Sequence, residues 1–575
     1  MTDQLISAIA QLNPTLGDIA GNIAKLRHAR EEAAGFGADL VIGTELCVSG
    51  YPPEDLVLKR SFLAGCEAAV RDFAKETATG PAILVGTPWR HEGKTYNAAL
   101  LLDRGEIAAI RFKHDLPNYG VFDEKRVFAA GPAPGPVVFR GIRLGIMVCE
   151  DMWQPDTTET LAETGAELLI VPNGSPYEHD KRDERIALAC ARIKESGLPL
   201  LYVNQIGGQD ELVFDGGSFA LDAECRLCVQ APDWREAVLP VRWRRGADER
   251  WTIEKGSLTQ PSEGLEAIYQ AMVLGLRDYV GKNRFPGVVL GLSGGIDSAL
   301  TAAVAADALG PDKVQCVMMP SPYTSRDSLD DAAEVARLLG IALREINIGP
   351  AMDAYAAMLA PSFAGKEADI TEENIQSRAR GMTLMALSNK FGWMVLSTGN
   401  KSEMSVGYAT LYGDMCGGYS VLKDVYKTTV FALSRWRNET RPEGALGPAG
   451  RVMPERVITK PPTAELKPNQ TDQDSLPPYD ILDGILECLV EKEMPVAEIA
   501  ASGYDETTIR AVWRMLDRAE YKRRQAPPGV KITRRAFGRD RRYPITNSFQ
   551  AKGPVPMIDP SETPLAPAAA RSRKA

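Results

Sequence analysis

The chain of 575 residues contains 66 Lys and Arg against 76 Asp and Glu, so its formal net charge is −10 and its isoelectric point is about 5.3. This acidic balance argues against a nucleic-acid-binding protein, which would carry a basic face. The sequence begins without a secretory signal and contains no run of about 18 apolar residues. We therefore expect a soluble, cytoplasmic protein without membrane contact, and its length predicts at least two domains.

Short apolar runs alternate with longer amphipathic stretches from residue 3 to about 240, which predicts an α/β layered sandwich over residues 1–242. One of the amphipathic stretches, Asn22–Ala34, has helical periodicity. The predicted strands are Leu5–Ala10, Leu40–Gly43, Ala82–Gly86, Asn97–Leu102, Ile142–Cys149, Leu168–Pro172 and Leu200–Asn204. The charged segment 243–264 is predicted to be a linker between domains.

Three residues that can carry nucleophilic chemistry directly follow apolar runs or end one. Glu45 follows Leu40–Thr44, Lys113 follows Ile110–Phe112, and Cys149 ends the third run. A cysteine nucleophile needs a base to take its proton and a cation to stabilise the developing anion. Each residue taken singly also fits an ordinary role, as a surface charge or as a buried thiol.

Taken together, these segments resemble the nitrilase superfamily, whose members cleave carbon–nitrogen bonds on an αββα fold. The resemblance rests on Gly43–Tyr51, on Phe112-Lys113 and on Gly145–Asp151. It implies that Glu45 is the general base, Cys149 the nucleophile and Lys113 the stabiliser of the tetrahedral intermediate. A nitrile hydrolase, an amidase and a glutaminase would share this triad.

Two further segments are similar to the glutamine-binding parts of the glutaminase members of that superfamily. They are Tyr119–Glu124 and the run Asn173–Pro176, which is followed by Lys181. The resemblance implies that Tyr119, Ser175 and Lys181 hold glutamine, and a lysine suits its α-carboxylate. A solvated surface lysine is the alternative for Lys181.

The second half of the chain predicts a doubly wound parallel sheet of the Rossmann-like type over residues 265–550. A long helix is predicted from Leu265 to Tyr279, and apolar runs at Val288–Leu292, Val314–Met319 and Met394–Ser397 alternate with helical patterns. Residues 551–575 are rich in proline and alanine and are predicted to be a disordered tail.

A glycine-rich turn between a strand and a helix marks a phosphate site in this second domain. The sequence Ser-Gly-Gly-Ile-Asp-Ser is neither a Walker loop nor a dinucleotide motif. It resembles the ATP-binding loop of N-type ATP pyrophosphatases, which implies that ATP is bound by Gly291, Leu292, Ser293, Gly294, Gly295, Ile296, Asp297 and Ser298. On this resemblance Asp297 is a ligand of Mg²⁺, and Glu403, which follows another strand, is a second candidate.

The two domains together resemble the glutamine-dependent NAD⁺ synthetases over residues 3–548. That family resemblance implies that glutamine is hydrolysed and that its ammonia amidates deamido-NAD⁺, which ATP has activated as an acyl-adenylate, with release of AMP and pyrophosphate. Asn374, Glu403 and Lys522 would contact deamido-NAD⁺, and Thr398 would contact ATP. A homo-oligomer with an ammonia channel between the sites is also implied.

Three alternatives share some of these motifs. A ligase acting on another carboxylate would carry both sites, and a tRNA-modifying enzyme also uses this ATP loop. The third alternative is an amidase whose second domain only senses a nucleotide. The acidic charge disfavours the tRNA enzyme, and the presence of both Asp297 and Glu403 disfavours mere sensing. Cys225 and Cys228 have CxxC spacing but lack a second pair, so zinc or redox chemistry is not expected there.

Overall fold

The computed structural model describes residues 3–468 and 470–549. The tail predicted to be disordered, 551–575, lies outside these residues. No helix in the described part of the chain is long and apolar enough to cross a membrane.

The N-terminal domain consists of two stacked sheets with helices on both outer faces. Its helices are α1 (Ile19–Gly35), α2 (Arg60–Glu76), α3 (Pro155–Glu163) and α4 (Lys181–Ser196). Its strands are β1 (Gln4–Gln11), β2 (Leu40–Ile42), β3 (Ala82–His91), β4 (Lys94–Asp103), β5 (Glu106–Phe112), β6 (Val137–Phe139), β7 (Ile142–Ile146), β8 (Leu168–Asn173), β9 (Leu200–Asn204), β10 (Ile206–Gln209), β11 (Leu212–Asp215), β12 (Phe219–Leu221), β13 (Leu227–Gln230), β14 (Ala237–Arg245) and β15 (Trp251–Ile253).

One sheet has seven strands in the order β15-β14-β1-β2-β3-β4-β5, and the facing sheet has six in the order β13-β12-β9-β8-β7-β6. Side chains such as Ile9, Ile42, Leu144 and Ile170 form the core between them. Because each inner strand is covered on both faces, its sequence is a nearly continuous apolar run rather than an alternating one. The predicted αββα sandwich is confirmed.

The C-terminal domain is built on a five-stranded sheet in the order β18-β17-β16-β19-β20, and all its pairings are parallel. These strands are β16 (Val288–Gly291), β17 (Val314–Met318), β18 (Ala342–Glu345), β19 (Met394–Ser397) and β20 (Tyr419–Ser420). From β16 the chain runs outward on one side to β17 and β18, and it then crosses to the other side of β16 to form β19 and β20. The strand order therefore reverses at β16. Such a switch point forms a ligand crevice, and the predicted doubly wound fold is confirmed.

Helices cover both faces of this sheet and extend beyond it. They are α5 (Gly264–Lys282), α6 (Ile296–Leu309), α7 (Arg326–Leu339), α8 (Gly349–Leu359), α9 (Ile370–Phe391), α10 (Lys401–Val406), α11 (Lys427–Glu439), α12 (Glu455–Thr459), α13 (Tyr479–Leu486), α14 (Val496–Ala501), α15 (Glu506–Arg518) and α16 (Glu520–Arg523). The last helices form a separate apolar cluster beside the sheet domain.

The segment 243–264, predicted to be a linker, is partly sheet. Strand β14 continues to Arg245, and β15 pairs with it as an antiparallel edge strand. Trp243, Trp251 and Ile253 point into the core between the two sheets and are buried. These apolar residues alternate with charged ones, and this alternation is the sequence signal for the two strands. The prediction of a linker rests on the high charge of the segment, which hides the alternation.

Helix α5 joins the two domains through partly buried polar contacts. The Asp278 carboxylate accepts hydrogen bonds from the Asn13 side-chain amide and from the Gly208 N–H, both at 2.7 Å. The Lys282 ammonium donates to the carbonyl oxygens of Pro14 and Gly208 at 3.1 and 2.8 Å. Charge-assisted bonds of this kind fix the relative position of the domains because the partners are largely removed from water.

Candidate active sites

Strand ends bring the three predicted triad residues of the first domain together. Glu45 follows β2, Lys113 follows β5 and Cys149 follows β7 on the facing sheet. Glu45 and Lys113 are fully buried, and Cys149 is 5% exposed. The Lys113 Nζ lies 2.7 Å from Glu45 Oε1.

The Glu45 carboxylate is held in one orientation by neutral donors as well as by Lys113. The Asn97 side-chain amide donates to Oε1 at 2.8 Å, and the Gly174 N–H donates to Oε2 at 2.9 Å. The loop that carries Glu45 passes so close to β3 that a Cβ on Gly86 would lie 2.3 Å from the Leu46 nitrogen. Only glycine fits at that point of β3.

A second carboxylate, Glu124, contacts Lys113, and the sequence analysis did not predict this. Its Oε1 lies 3.0 Å from the Lys113 Nζ and also accepts a hydrogen bond from the Tyr51 hydroxyl at 3.0 Å. Burial acts to lower the pKa of Lys113, but Glu124 and Glu45 outweigh it, so its pKa lies well above the ordinary value. Lys113 therefore stays an ammonium. The one available signal was that Glu124 ends the Tyr119–Glu124 segment.

The sequence predicts that Cys149 ends its strand, but in the structure Cys149 lies on a turn after the strand. Strand β7 ends at Ile146, and a short 3-10 turn begins at Cys149, whose φ of 50° is in the left-handed region. Asp151 holds this strained turn, since one carboxylate oxygen accepts the Val148 N–H at 2.9 Å and the other accepts the His114 N–H at 2.9 Å. The same side chain thus ties the Cys149 turn to the loop that carries Lys113.

The thiol of Cys149 needs a base in order to react. Burial raises the pKa of Cys149 well above its ordinary value, and the Glu45 carboxylate raises it further, although Lys113 opposes both. A thiol in such a site is protonated at neutral pH and becomes a nucleophile only when its proton is taken up. Glu45 is the carboxylate whose charge acts most strongly on Cys149, and its role as the base stays a prediction.

The predicted glutamine contacts Tyr119 and Ser175 lie on segments that border this cluster. The Tyr119 hydroxyl donates to both Glu150 carboxylate oxygens at 3.0 Å, and its ring is 47% exposed. Ser175 is buried, its N–H donates to the Asn204 side-chain oxygen at 2.9 Å, and its hydroxyl accepts from Arg185 at 3.1 Å. Their role in binding glutamine stays a prediction.

Lys181 begins helix α4 and is surrounded by carboxylates. Its Nζ lies 3.1 Å from Glu184 and 3.9 Å from Glu178, and 4.4 Å from the centre of the Trp153 ring. The side chain is 17% exposed, so it is not the solvated surface lysine of the alternative interpretation. Its contact with a substrate carboxylate stays a prediction.

The predicted ATP loop of the second domain lines a cavity of about 270 Å³ at the switch point beside β16. Thr398 and Glu403 line the same cavity, and so do the predicted loop residues Gly291, Leu292, Ser293, Gly295, Ile296, Asp297 and Ser298. Gly294 does not line it. Its φ is +78°, and a Cβ there would lie 2.2 Å from the Ser328 carbonyl oxygen. Gly294 thus lets the loop turn against helix α7.

Asp297 and Glu403 meet in this cavity on either side of a lysine that the sequence analysis did not identify. The Lys427 Nζ makes a short contact with Asp297 and lies 3.3 Å from Glu403 Oε1, while the Asn400 side-chain amide donates to Asp297 at 2.8 Å. Burial raises the pKa of Glu403 to about 8, and Asp297 adds to this, although Lys427 lowers it. Lys427 lies 130 residues from Asp297 and has no motif of its own.

The donor set at this point fits a magnesium ion that is held partly by a substrate. Asp297 and Glu403 supply two carboxylates, and Mg²⁺ commonly takes one or two carboxylates with the remaining positions filled by phosphates and water. No group of three or more His, Cys, Asp or Glu placed to hold a metal ion occurs among residues 3–468 and 470–549. Cys225 and Cys228 are free thiols.

The structure does not place Asn374 and Lys522 on the cavity wall with Glu403. Both contact the chain that follows α10 instead. The Thr410 hydroxyl donates to the Asn374 side-chain oxygen at 2.9 Å, and Lys522 donates to the carbonyl oxygens of Gly407 and Ala409 at 2.8 and 2.6 Å. The predicted contacts to one ligand are therefore spread over the cavity and the adjoining loop.

Comparison with known proteins finds relatives for both domains and for the whole chain. Residues 7–246 match the carbon-nitrogen hydrolase family, and residues 268–526 match the NAD synthase family. Glutamine-dependent NAD⁺ synthetases from Rhodobacter capsulatus and Xanthomonas campestris pv. campestris are 50% and 48% identical, over 96% and 95% of this chain and 100% and 98% of theirs. The solved structure of the Acinetobacter baumannii glutamine-dependent NAD⁺ synthetase in complex with ADP is 42% identical, with a TM-score of 0.76 over 96% of this chain and 100% of that one.

The fold and the two sites define an α/β enzyme in which a carbon–nitrogen hydrolase domain is joined to an ATP-dependent synthase domain. Given this identity over nearly the full length, the chain belongs to the glutamine-dependent NAD⁺ synthetase family. These are carbon–nitrogen ligases that use glutamine as the amide donor, and ATP use follows from the family. The family and the enzyme class that the sequence predicted are confirmed.

Proposed function

We propose that this chain carries out glutamine-dependent NAD⁺ synthesis with two separate sites, and that the ammonia released in the first site is consumed in the second. The observation that carries the proposal is the pairing of a buried Lys113–Glu45 contact beside Cys149 in one domain with the Ser293–Ser298 loop on a cavity in the other. The presence of both sites in one chain is explained if the ammonia released in the first site is a substrate of the second.

In the first site, Glu45 takes the proton from Cys149 as the sulfur attacks the amide carbon of glutamine. The oxyanion of the tetrahedral intermediate is stabilised by the Lys113 ammonium. Glu45 then gives its proton to the leaving nitrogen, ammonia departs, and a thioester to Cys149 remains. Water attacks the thioester with Glu45 again as the base, and glutamate leaves. Tyr119, Ser175 and Lys181 hold the amino acid in this scheme.

In the second site, the nicotinate carboxylate of deamido-NAD⁺ attacks the α-phosphorus of ATP, and pyrophosphate leaves. Ammonia then attacks the carbon of the acyl-adenylate, and AMP leaves as the carboxamide of NAD⁺ forms. The loop N–H groups and Lys427 hold the phosphates, because such a reaction needs charge stabilisation rather than covalent chemistry. Mg²⁺ held by Asp297 and Glu403 would neutralise phosphate charge there.

Glu403, Asn374 and Lys522 are proposed to contact deamido-NAD⁺. The support is their common neighbourhood, since Glu403 lies on α10 and the other two hold the loop 407–410 that directly follows it. A dinucleotide is long enough to reach from the cavity to this loop.

We further propose a cytoplasmic homo-oligomer. All nine cysteines lie in the described part of the chain as free thiols, which is typical of a reducing compartment. Helix α8 is apolar in composition, yet all its side chains are at least partly exposed, and its Met358 is 67% exposed. Met382, on the neighbouring helix α9, is 65% exposed. A second copy that covers this face would remove that surface from water. Analytical ultracentrifugation tests this, because Met358→Glu should shift the chain towards the monomer, and an unchanged mass would reject this face as the interface.

The decisive assay for the reaction is product analysis by mass spectrometry with ATP, Mg²⁺, deamido-NAD⁺ and amide-¹⁵N glutamine. The proposal predicts ¹⁵N in the carboxamide of NAD⁺, together with AMP and pyrophosphate in equal amounts. Glutamate without NAD⁺ would mean that the acceptor is another carboxylate, and ADP in place of AMP would reject the adenylate route.

A further inference from the structure

A short segment of the second domain, residues 530–533, is inserted at the junction of the two domains. On one side the Lys531 N–H donates to the Glu211 carbonyl at 2.8 Å, and the Ile532 carbonyl accepts from the His179 N–H at 3.0 Å. On the other side the Asp424 carboxylate accepts the Ile532 N–H at 2.7 Å. The segment is thus fixed by both domains, and its position is not free to vary.

The side chain of Lys531 points to the first domain and is 1% exposed. Its Nζ lies 3.0 Å from Glu178 Oε1 and 3.0 Å from Asp540 Oδ2. Burial acts to lower the pKa of Lys531, but Glu178, Asp540 and Asp424 outweigh it and raise the pKa above the ordinary value. Lys531 is therefore an ammonium shared between carboxylates of both domains.

Glu178 lies in the turn between two of the predicted glutamine contacts, Ser175 and Lys181. Its other carboxylate oxygen is 3.9 Å from the Lys181 Nζ, while Oε1 contacts Lys531. The Glu178 carboxylate thus has two ammonium groups within reach. Lys181 already has Glu184 at 3.1 Å. A shift of the Glu178 side chain towards Lys181 would add a second close carboxylate to the cation that is proposed to meet the α-carboxylate of glutamine.

We infer that Lys531 is a positioning residue of the glutaminase site. It holds the Glu178 carboxylate away from Lys181, so that Glu178 does not join Glu184 in competing with the α-carboxylate of glutamine for that cation. The inference rests on the proposed function of Lys181. It means that the glutamine pocket is completed by the second domain rather than formed by the first domain alone.

The test is steady-state kinetics on the full chain with glutamine and, separately, with ammonium as the nitrogen source. Lys531→Met should raise KM for glutamine about tenfold or more, the usual scale for the loss of one charge-assisted contact, with kcat changed by less than about threefold. Ammonium-dependent NAD⁺ formation should stay within about twofold of the wild type, which also shows that the variant is folded.

Two companion variants separate positioning from simple support. In the double variant Lys531→Met with Glu178→Gln, the carboxylate that would capture Lys181 is gone, so KM for glutamine should return to within about threefold of the wild type. Lys531→Arg should retain most of the affinity because it keeps the cation. If the double variant is as impaired as Lys531→Met, or if ammonium-dependent synthesis falls by the same factor, the inference is wrong.

Lys282→Met is the matched control, because this lysine also links the domains but contacts Asn13, Pro14 and Gly208 instead. It should leave KM for glutamine unchanged, and an equal increase would attribute the effect to a loosened junction and overturn the inference. The Lys181→Met variant separates a failure of the proposed role of Lys181 from a failure of the inference about Lys531. An unchanged KM for glutamine in that variant would reject the role of Lys181, whereas an increased KM there with a normal Lys531→Met would reject only the inference.

Discussion

At the scale of single residues, both sites place buried lysines between carboxylates. Lys113 lies between Glu45 and Glu124, and Lys427 lies between Asp297 and Glu403. Each ammonium is out of water, so its charge acts at short range on whatever binds beside it. In the proposed mechanism, Lys113 meets an oxyanion in the first site and Lys427 meets phosphate in the second.

Replacement of Asp297 tests the second site. Asp297→Asn should lower ammonium-dependent NAD⁺ formation by roughly 10²–10³-fold, because the site loses a carboxylate where phosphate charge is neutralised. Glutamine hydrolysis measured as glutamate release should remain. Asp312→Asn, an exposed position on the same domain, serves as the control. Undiminished NAD⁺ formation in Asp297→Asn would remove this residue from the site.

Glu150 predicts a pH dependence of stability in the first domain. Burial raises the pKa of Glu150 to about 7, and Glu124 adds to this, although Lys113 and the Tyr119 hydroxyl oppose it. The folded chain therefore holds a proton that the unfolded chain loses at about pH 4.5, so stability falls as pH rises from about 4.5 to about 7.

Glu150→Gln removes that titration. Relative to the wild type, the free energy of unfolding of the variant should rise by roughly 3 kcal/mol between pH 5 and pH 8. Thermal unfolding followed by calorimetry at both values measures the difference. A difference between variant and wild type that does not change with pH would mean that Glu150 titrates normally.

At the scale of elements, the Gly294 turn shows why the phosphate loop needs this sequence. Gly294→Ala should cost at least about tenfold in kcat/KM for ATP, since the added Cβ would meet the Ser328 carbonyl and push the loop from helix α7. Gly444→Ala is the matched control, because Gly444 has a similar φ of +73° and open space around it. Equal effects of the two substitutions would attribute the loss to backbone strain alone.

The sequence allowed the fold to be predicted where the signal was local. The central strands of the three large sheets, the Ser293–Ser298 loop and the strand ends that carry Glu45 and Lys113 follow from apolar runs and turn residues. The end of β7 was placed at Cys149 instead of Ile146, because the side-chain bonds of Asp151 that shape this turn leave no periodic trace. Strand β14 was not predicted, since charged residues alternate with the buried Val241 and Trp243 near its end.

Contacts between distant parts of the chain could not be predicted. Glu124, Lys427 and Lys531 become neighbours of the sites only through the packing of separate elements, and each resembles an ordinary surface charge in the sequence. The roles assigned to Asn374 and Lys522 rest on resemblance, and the structure adds only their contacts with the loop after α10.

At the scale of the whole molecule, the two domains form a joined unit rather than two independent enzymes. Helix α5 fastens one side of the junction through Asp278 and Lys282, and the segment 530–533 fastens another through Lys531. Such buried polar contacts favour one relative position of the domains. A fixed relation between the sites suits the proposed use in one site of ammonia that is made in the other.

The Cys149→Ala variant shows whether one site makes the ammonia that the other site uses. NAD⁺ formation by this variant is measured with glutamine and with ammonium, beside a Cys190→Ala control in the same domain. Glutamine-dependent synthesis should fall by at least about 10³-fold while ammonium-dependent synthesis stays within about twofold of the wild type. Loss of both activities, or retention of the glutamine-dependent one, would rule out the two-site reaction.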